Sequence, residues 1–212
     1  MSRNLNRAPT GAGVVYVVDD DESVRRAMAR LIRSTGLDVE TFPSAGAFMQ
    51  RKVLDRPACL LLDVRLAGSS GLDLQSDLGE AQRGLPIIFI TGFGDVPMSV
   101  RAMKGGAVDF LEKPCNDQEL LDAIQRALAR SREGQAETAE RQEIQRRVDS
   151  LTPREREVFA LVVTGMLNKQ IAGELGAAEK TIKVHRGRMM KKMRAESVAA
   201  LVGMAQKVGL RP

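Results

Sequence analysis

Two cysteines and one histidine are all that 212 residues offer as soft metal ligands, and they lie far apart at positions 59, 115 and 185. A zinc site needs four such ligands at characteristic spacings, so none is expected. Cys59 falls inside an apolar run and Cys115 follows Pro114, positions that suit a small hydrophobic side chain in a reducing compartment better than a disulfide. No apolar run approaches membrane-spanning length, and Met1 to Gly13 lacks the apolar stretch of an export signal. These absences predict a cytoplasmic protein with a loose tail over residues 1–13 and no membrane partner. His185 has no companion ligands, so packing or a structural hydrogen bond is its expected role.

What is present divides unevenly. An apolar fraction of 43% suffices for globular cores, and the length exceeds one typical domain. Residues 1–130 carry 16 basic against 17 acidic side chains, 131–150 carry four against five, and 151–212 carry 12 against five. The net charge of +5 therefore comes from the last segment, at +7. A polyanion partner is implied there, and a cation site in the acidic part. Residues 131–150 read as a charged, helical linker broken near Gly134.

Short apolar runs at Val14–Val18, Cys59–Leu62, Pro86–Ile90 and Ala107–Leu111, with a further strand over Asp38–Phe42, alternate with helix-like stretches from near Glu22 to before Gly36 and near 45–51, 72–78, 96–105 and 117–130. The alternation predicts an α/β fold, a flavodoxin-like doubly wound sheet of five parallel strands with right-handed crossovers. Asp19, Asp20, Asp63, Thr91 and Lys113 each stand at or just past the end of a run. Ligands bind outside the carboxyl ends of such strands, so these five converge. Crowded carboxylates without His or Cys suit a hard cation such as Mg²⁺, or Mn²⁺. Asp63, alone at the end of the central run, is the natural phosphoryl acceptor, with Asp19 and Asp20 as the metal pair and Thr91 and Lys113 facing the phosphate oxygens. Taken singly, an aspartate here is a turn or cap residue, and Asp20 or Asp21 could cap the helix starting near Glu22.

The basic segment opens on Thr152-Pro153-Arg154-Glu155, a capping box with Pro at the first helical position. Gly165 ends that helix, Asn168 caps a second, Gly176 ends it, and a third runs from Glu179 to Met193. The short turn Gly176-Ala177-Ala178 makes this a helix-turn-helix, a small all-α domain whose later helix enters the major groove. Ile182, Met189 and Met193 share its apolar face, while Lys180, Lys183, Val184, Arg188 and Lys191 lie largely elsewhere and, with Lys169, are candidates for DNA contact. Val198, Leu201, Val202 and Ala205 recur at helical spacing on a last helix, more consistent with core than with interface.

Val17-Val18-Asp19-Asp20-Asp21, Leu62-Asp63, Ile90-Thr91-Gly92 and Glu112-Lys113-Pro114 together resemble the receiver domain of two-component response regulators. Leu151 to Glu155, Asn168 to Ala172 and Thr181 to His185 resemble the LuxR-type DNA-binding domain, and the pair is similar to the NarL/FixJ class. The resemblance covers roughly residues 14–130 and 151–207, and with the composition it divides the chain into a tail over 1–13, a receiver over 14–130, a linker over 131–150 and an output domain over 151–212. It further implies Asp63 as phosphoacceptor, Asp20 as direct ligand with Asp19 assisting, and the Arg65 carbonyl completing the metal site. Thr91, Lys113 and Phe110 become the switch residues. The partners it implies are a sensor histidine kinase, double-stranded DNA and a second copy on phosphorylation. The only chemistry it implies is Mg²⁺-dependent gain and loss of a phosphoryl group, not turnover of a separate substrate. Arg65-Leu66-Ala67-Gly68 departs from the usual Met-Pro-rich turn, and Gly187 and Ala178 stand where a larger contact residue and a Ser-type cap are common. Another class of function also fits Asp19 to Val24, which approximates the DxDx(T/V) opening of haloacid-dehalogenase-type phosphatases. A third is a constitutive DNA-binding protein using the first domain for dimerisation.

Overall fold

A computed structural model describes residues 13–52, 55–81, 84–92 and 96–210. Five parallel strands, β1 (Val14–Val18), β2 (Asp38–Phe42), β3 (Ala58–Asp63), β4 (Ile87–Thr91) and β5 (Asp109–Glu112), form one sheet in the order β2-β1-β3-β4-β5. β1, β3 and β4 are almost entirely buried because both faces are covered, which is why they read as continuous apolar runs. The switch in strand order falls between β1 and β3, whose carboxyl ends carry Asp19, Asp20 and Asp63.

Period-two alternation sorts the side chains. Val14, Tyr16, Val18, Leu60, Leu62 and Phe89 face Phe48 of α2 (Ala45–Met49), Leu74 and Leu78 of α3 (Gly71–Ala81) and Ala102 of α4 (Val96–Lys104). Val15, Val17, Leu61, Ile88 and Ile90 face Ile32 of α1 (Glu22–Ser34) and Leu120, Ile124 and Leu128 of α5 (Asp117–Asp149). A two-residue hairpin, Arg65–Leu66 against Ser69–Ser70, follows β3.

The chain divides into two compact units, Met1–Gln135 and Ala136–Pro212. Gly134 does not break the helix as expected: α5 continues to Asp149. A single glycine costs only about 1 kcal/mol in a helix interior, and the flanking Glu, Gln, Arg and Ala residues carry the helix across. Ser131, expected in the linker, is buried, and its Oγ accepts from the Ala58 N–H at 3.0 Å at the start of β3. Gly13, expected in the tail, is buried against Leu128 and the Pro57 carbonyl. The rest of that tail lies outside the described residues.

In the second unit α6 (Pro153–Val163), α7 (Asn168–Glu174), α8 (Glu179–Met193) and α9 (Val198–Lys207) pack Val158, Phe159, Ile171, Ile182, Met189, Met193 and Leu201 into one core, joined by Ile144 and Val148 of α5. Leu201 and Ala205 of α9 are fully buried and Val198 and Val202 half-buried, so that stripe is core. Asn168 is not the cap of α7 but its first helical residue. Leu167 holds the cap position, and its N–H donates to Gln170 Oε1 at 2.8 Å, so the glutamine three residues on supplies the oxygen.

Candidate functional site

The end of β1 turns sharply into α1. Asp21 is the N-cap, its carboxylate accepting from the Ser23 and Val24 N–H groups, and these bonds hold its pKa below the usual carboxylate value. That frees Asp19 and Asp20 to face the strand ends. Asp19 is buried; its Oδ1 accepts from the Asp21 N–H at 2.9 Å and its Oδ2 from Lys113 Nζ at 2.5 Å. The same Nζ donates to Asp63 Oδ2 at 2.7 Å, while Asp63 Oδ1 accepts from the Arg65 N–H at 3.0 Å. Carboxylate oxygens of Asp19, Asp20 and Asp63 lie within 4.8 Å of one another. One ammonium thus neutralises part of a three-carboxylate cluster. Burial, the largest single influence, works against the charge of Lys113, but the hydrogen bonds it donates to Asp19 and Asp63 and the negative charges of both carboxylates together raise its pKa.

Lys113 is placed by the ladder continuing past β5, where its N–H donates to the Thr91 carbonyl at 2.8 Å. Thr91 is buried at the last position of β4. Arg65 meets the site through its backbone N–H. Phe110 is half-buried, 6.4 Å from the Phe89 ring centroid, packed on the core rather than on the carboxylates.

Two supports escaped sequence reading. Arg25 on α1 donates through Nη1 to the Asp19 carbonyl at 2.6 Å, fixing the acidic turn from one side. Gly71, the first residue of α3, donates its N–H to the Val64 carbonyl at 2.9 Å, and a Cβ there would overlap the Asp63 carbonyl oxygen. A glycine opening the helix after the β3 turn was the available signal. Cys59 is buried in β3, and burial pushes its thiol up to about 12.

The second unit offers a separate surface. Along α8, Lys180, Lys183, Val184, Gly187, Arg188 and Lys191 are exposed, Val184 to 46%, while Ile182, Met189 and Met193 are buried. Lys169 is exposed on α7 and His185 is half-buried. Arg186 Nη1 donates to Asn168 Oδ1 at 2.9 Å, tying α8 to the start of α7. Ala178 caps α8 without a side-chain hydrogen bond.

Comparison with known proteins follows the same division. Residues 15–125 match the response regulator receiver domain family and residues 149–205 the luxR family of bacterial regulatory proteins. The chain is 52% identical to Nodulation protein W of Bradyrhizobium diazoefficiens over 204 residues, 93% of this chain and 87% of that protein. It is 41% identical over 198 residues to the transcriptional regulatory protein FixJ of Rhizobium meliloti, covering 93% and 97% of the two chains. The solved structure of the response regulator StyR superposes with a TM-score of 0.80 at 46% identity, covering 93% of this chain and all of that one.

Proposed function

The chain belongs to the two-component response regulators with a luxR-family output domain, and on that premise we propose that Asp63 takes a phosphoryl group from a sensor histidine kinase. Its function is phosphorylation-dependent regulation of transcription. The observation that carries the site assignment is the sharing of Lys113 between Asp19 and Asp63 at 2.5 and 2.7 Å beside Asp20.

An oxygen of the Asp63 carboxylate attacks the phosphorus of the kinase phosphohistidine; the O–P bond forms as the P–N bond breaks, and the imidazole leaves with the electron pair. Lys113 then pairs with the new phosphoryl oxygens, with the Thr91 hydroxyl as the second donor. An all-oxygen trio of carboxylates within 4.8 Å fits Mg²⁺ or Mn²⁺, held by Asp19, Asp20, Asp63 and the Arg65 carbonyl. That ion would neutralise charge on the transferring group. Nothing in this chemistry turns over a separate substrate, and the phosphatase alternative would leave Asp63 without a task.

The functional division follows the resemblance: a receiver over 14–130, a linker over 131–150 and a DNA-binding domain over 151–212, working in the cytoplasm. Among the described residues no helix is long and apolar enough to cross a membrane. Rearrangement of Thr91 and Phe110 on phosphorylation alters the face formed by α4, β5 and α5, and on α4 Val96, Val100 and Met103 form an exposed stripe at helical spacing. A second copy seated there would bring two output domains together. Lys180, Lys183, Val184, Arg188, Lys191 and Lys169 then meet duplex DNA.

Incubation with acetyl phosphate and Mg²⁺ should add one base-labile phosphate, seen by intact mass, and Asp63→Asn should abolish it. Labelling retained in Asp63→Asn, or found on Asp19, would overturn the assignment.

A further inference from the structure

Arg194 is the one non-glycine residue with positive φ among those described, at φ 54° and ψ 38° in the cap that ends α8. A side chain in this left-handed region is strained, and glycine is the usual residue where a helix ends this way. A guanidinium kept in a position that backbone geometry would give to glycine needs a reason.

Its electrostatic partner is Glu143, whose carboxylate is held low first by the Arg147 hydrogen bond and only last by the Arg194 charge. Arg194 lines an open cleft with Arg188, Lys191, Lys192 and Glu155. The carboxylates nearby are already taken, Glu155 by Lys192 at 2.6 Å and Glu143 by Arg147 at 3.1 Å and Arg146 at 3.6 Å. Three carbonyls at the end of α8 have donors: Arg147 Nη1 reaches the Met193 carbonyl at 3.2 Å, and the Arg194 and Ala195 N–H groups close on Lys191 and Met190. Four cations thus stand around one paired carboxylate. Arg188 and Lys191 continue directly into the exposed face that holds Lys180, Lys183 and Val184.

Resting on the reading of this unit as DNA-binding, we propose that Arg194, with Arg188 and Lys191, grips the DNA backbone phosphates beside the groove that α8 enters. Continuity with the reading face selects a DNA phosphate over a free anion. Arg194 carries no base information; it fixes the depth and angle of α8.

The test separates a phosphate contact from a structural prop, because the two predict opposite signs. In the full chain, Arg194→Gly relieves the strained cap, so the melting temperature of the second unit should stay level or rise. Binding to a short mixed-sequence duplex, titrated between about 50 and 200 mM salt with and without beryllofluoride and Mg²⁺, should weaken about three- to tenfold. The slope of log K against log salt should shrink by about 0.9. Arg194→Lys should restore the slope. A lower melting temperature for Arg194→Gly with an unchanged slope would make Arg194 a prop of Glu143 and overturn the proposal, as would a slope that Arg194→Lys fails to restore. If the unaltered chain binds no duplex in either state, the DNA-binding reading falls and the proposal with it.

Discussion

At the scale of single residues, charge and crowding around Asp63 make separable predictions. Asp20 is exposed, so Asp20→Asn removes one negative charge from the trio without disturbing the core. Mg²⁺ affinity should fall about tenfold or more, read by fluorescence or calorimetric titration, with the melting temperature little changed. Gly71→Ala acts differently, since its Cβ would press on the Asp63 carbonyl oxygen. Stability should drop by about 1–3 kcal/mol in urea unfolding, and phosphorylation by acetyl phosphate should slow while Mg²⁺ affinity falls less than in Asp20→Asn. Convergence of Asp19, Asp20, Asp63 and Lys113 was legible because strand ends in a doubly wound sheet share one rim. The contributions of Arg25 and Gly71 were not, because they depend on how closely α1 and α3 approach the ends of β1 and β3.

Among the elements, α6 is the one whose start the sequence spelled out in full. Thr152 Oγ1 accepts from the Glu155 N–H at 3.3 Å, and Glu155 Oε2 accepts from the Thr152 N–H at 2.9 Å and from Lys192 Nζ at 2.6 Å. The capping box was readable; Lys192, 37 residues on, was not, because only the packing of α8 on α6 brings it there. The Lys192 hydrogen bond first, and the Thr152 N–H second, lower the Glu155 pKa to about 2. A group depressed in the folded state stabilises it above its unfolded pKa and loses that contribution as pH falls through the folded value. Acid should therefore weaken the second unit between about pH 4.5 and pH 2, and Glu155→Gln should flatten this dependence. Glu155→Ala, which loses the cap as well, should cost about 2–4 kcal/mol at neutral pH. On α8, Gly187 is exposed with open space where a Cβ would go. Gly187→Ala should stabilise the unit by about 1 kcal/mol in chemical denaturation. Asn168 and Gly134 show where local rules lose: a glutamine two residues after Asn168 supplied the cap oxygen, and good helix formers on both sides carried α5 over its glycine.

For the whole molecule, the charge pattern pointed to two parts, since residues 151–212 carry all of the positive excess, while the compact units divide at Gln135 and Ala136 because the end of α5 packs into the second core. How the acidic rim speaks to the basic face was not legible, because that depends on two arrangements of the same chain. Phosphorylation should shift monomer toward dimer and tighten DNA binding together; sedimentation before and after beryllofluoride treatment reads the first. An unchanged monomer with higher DNA affinity would place the switch in release of the output domain instead. The central claim is that one aspartate governs DNA binding, and its most direct test is duplex affinity of the full chain with and without acetyl phosphate and Mg²⁺, beside Asp63→Asn. Tighter binding on treatment, absent in Asp63→Asn, is the predicted result. Equal tightening in the two proteins, or none in the unaltered chain once its mass shows a phosphate, would contradict it.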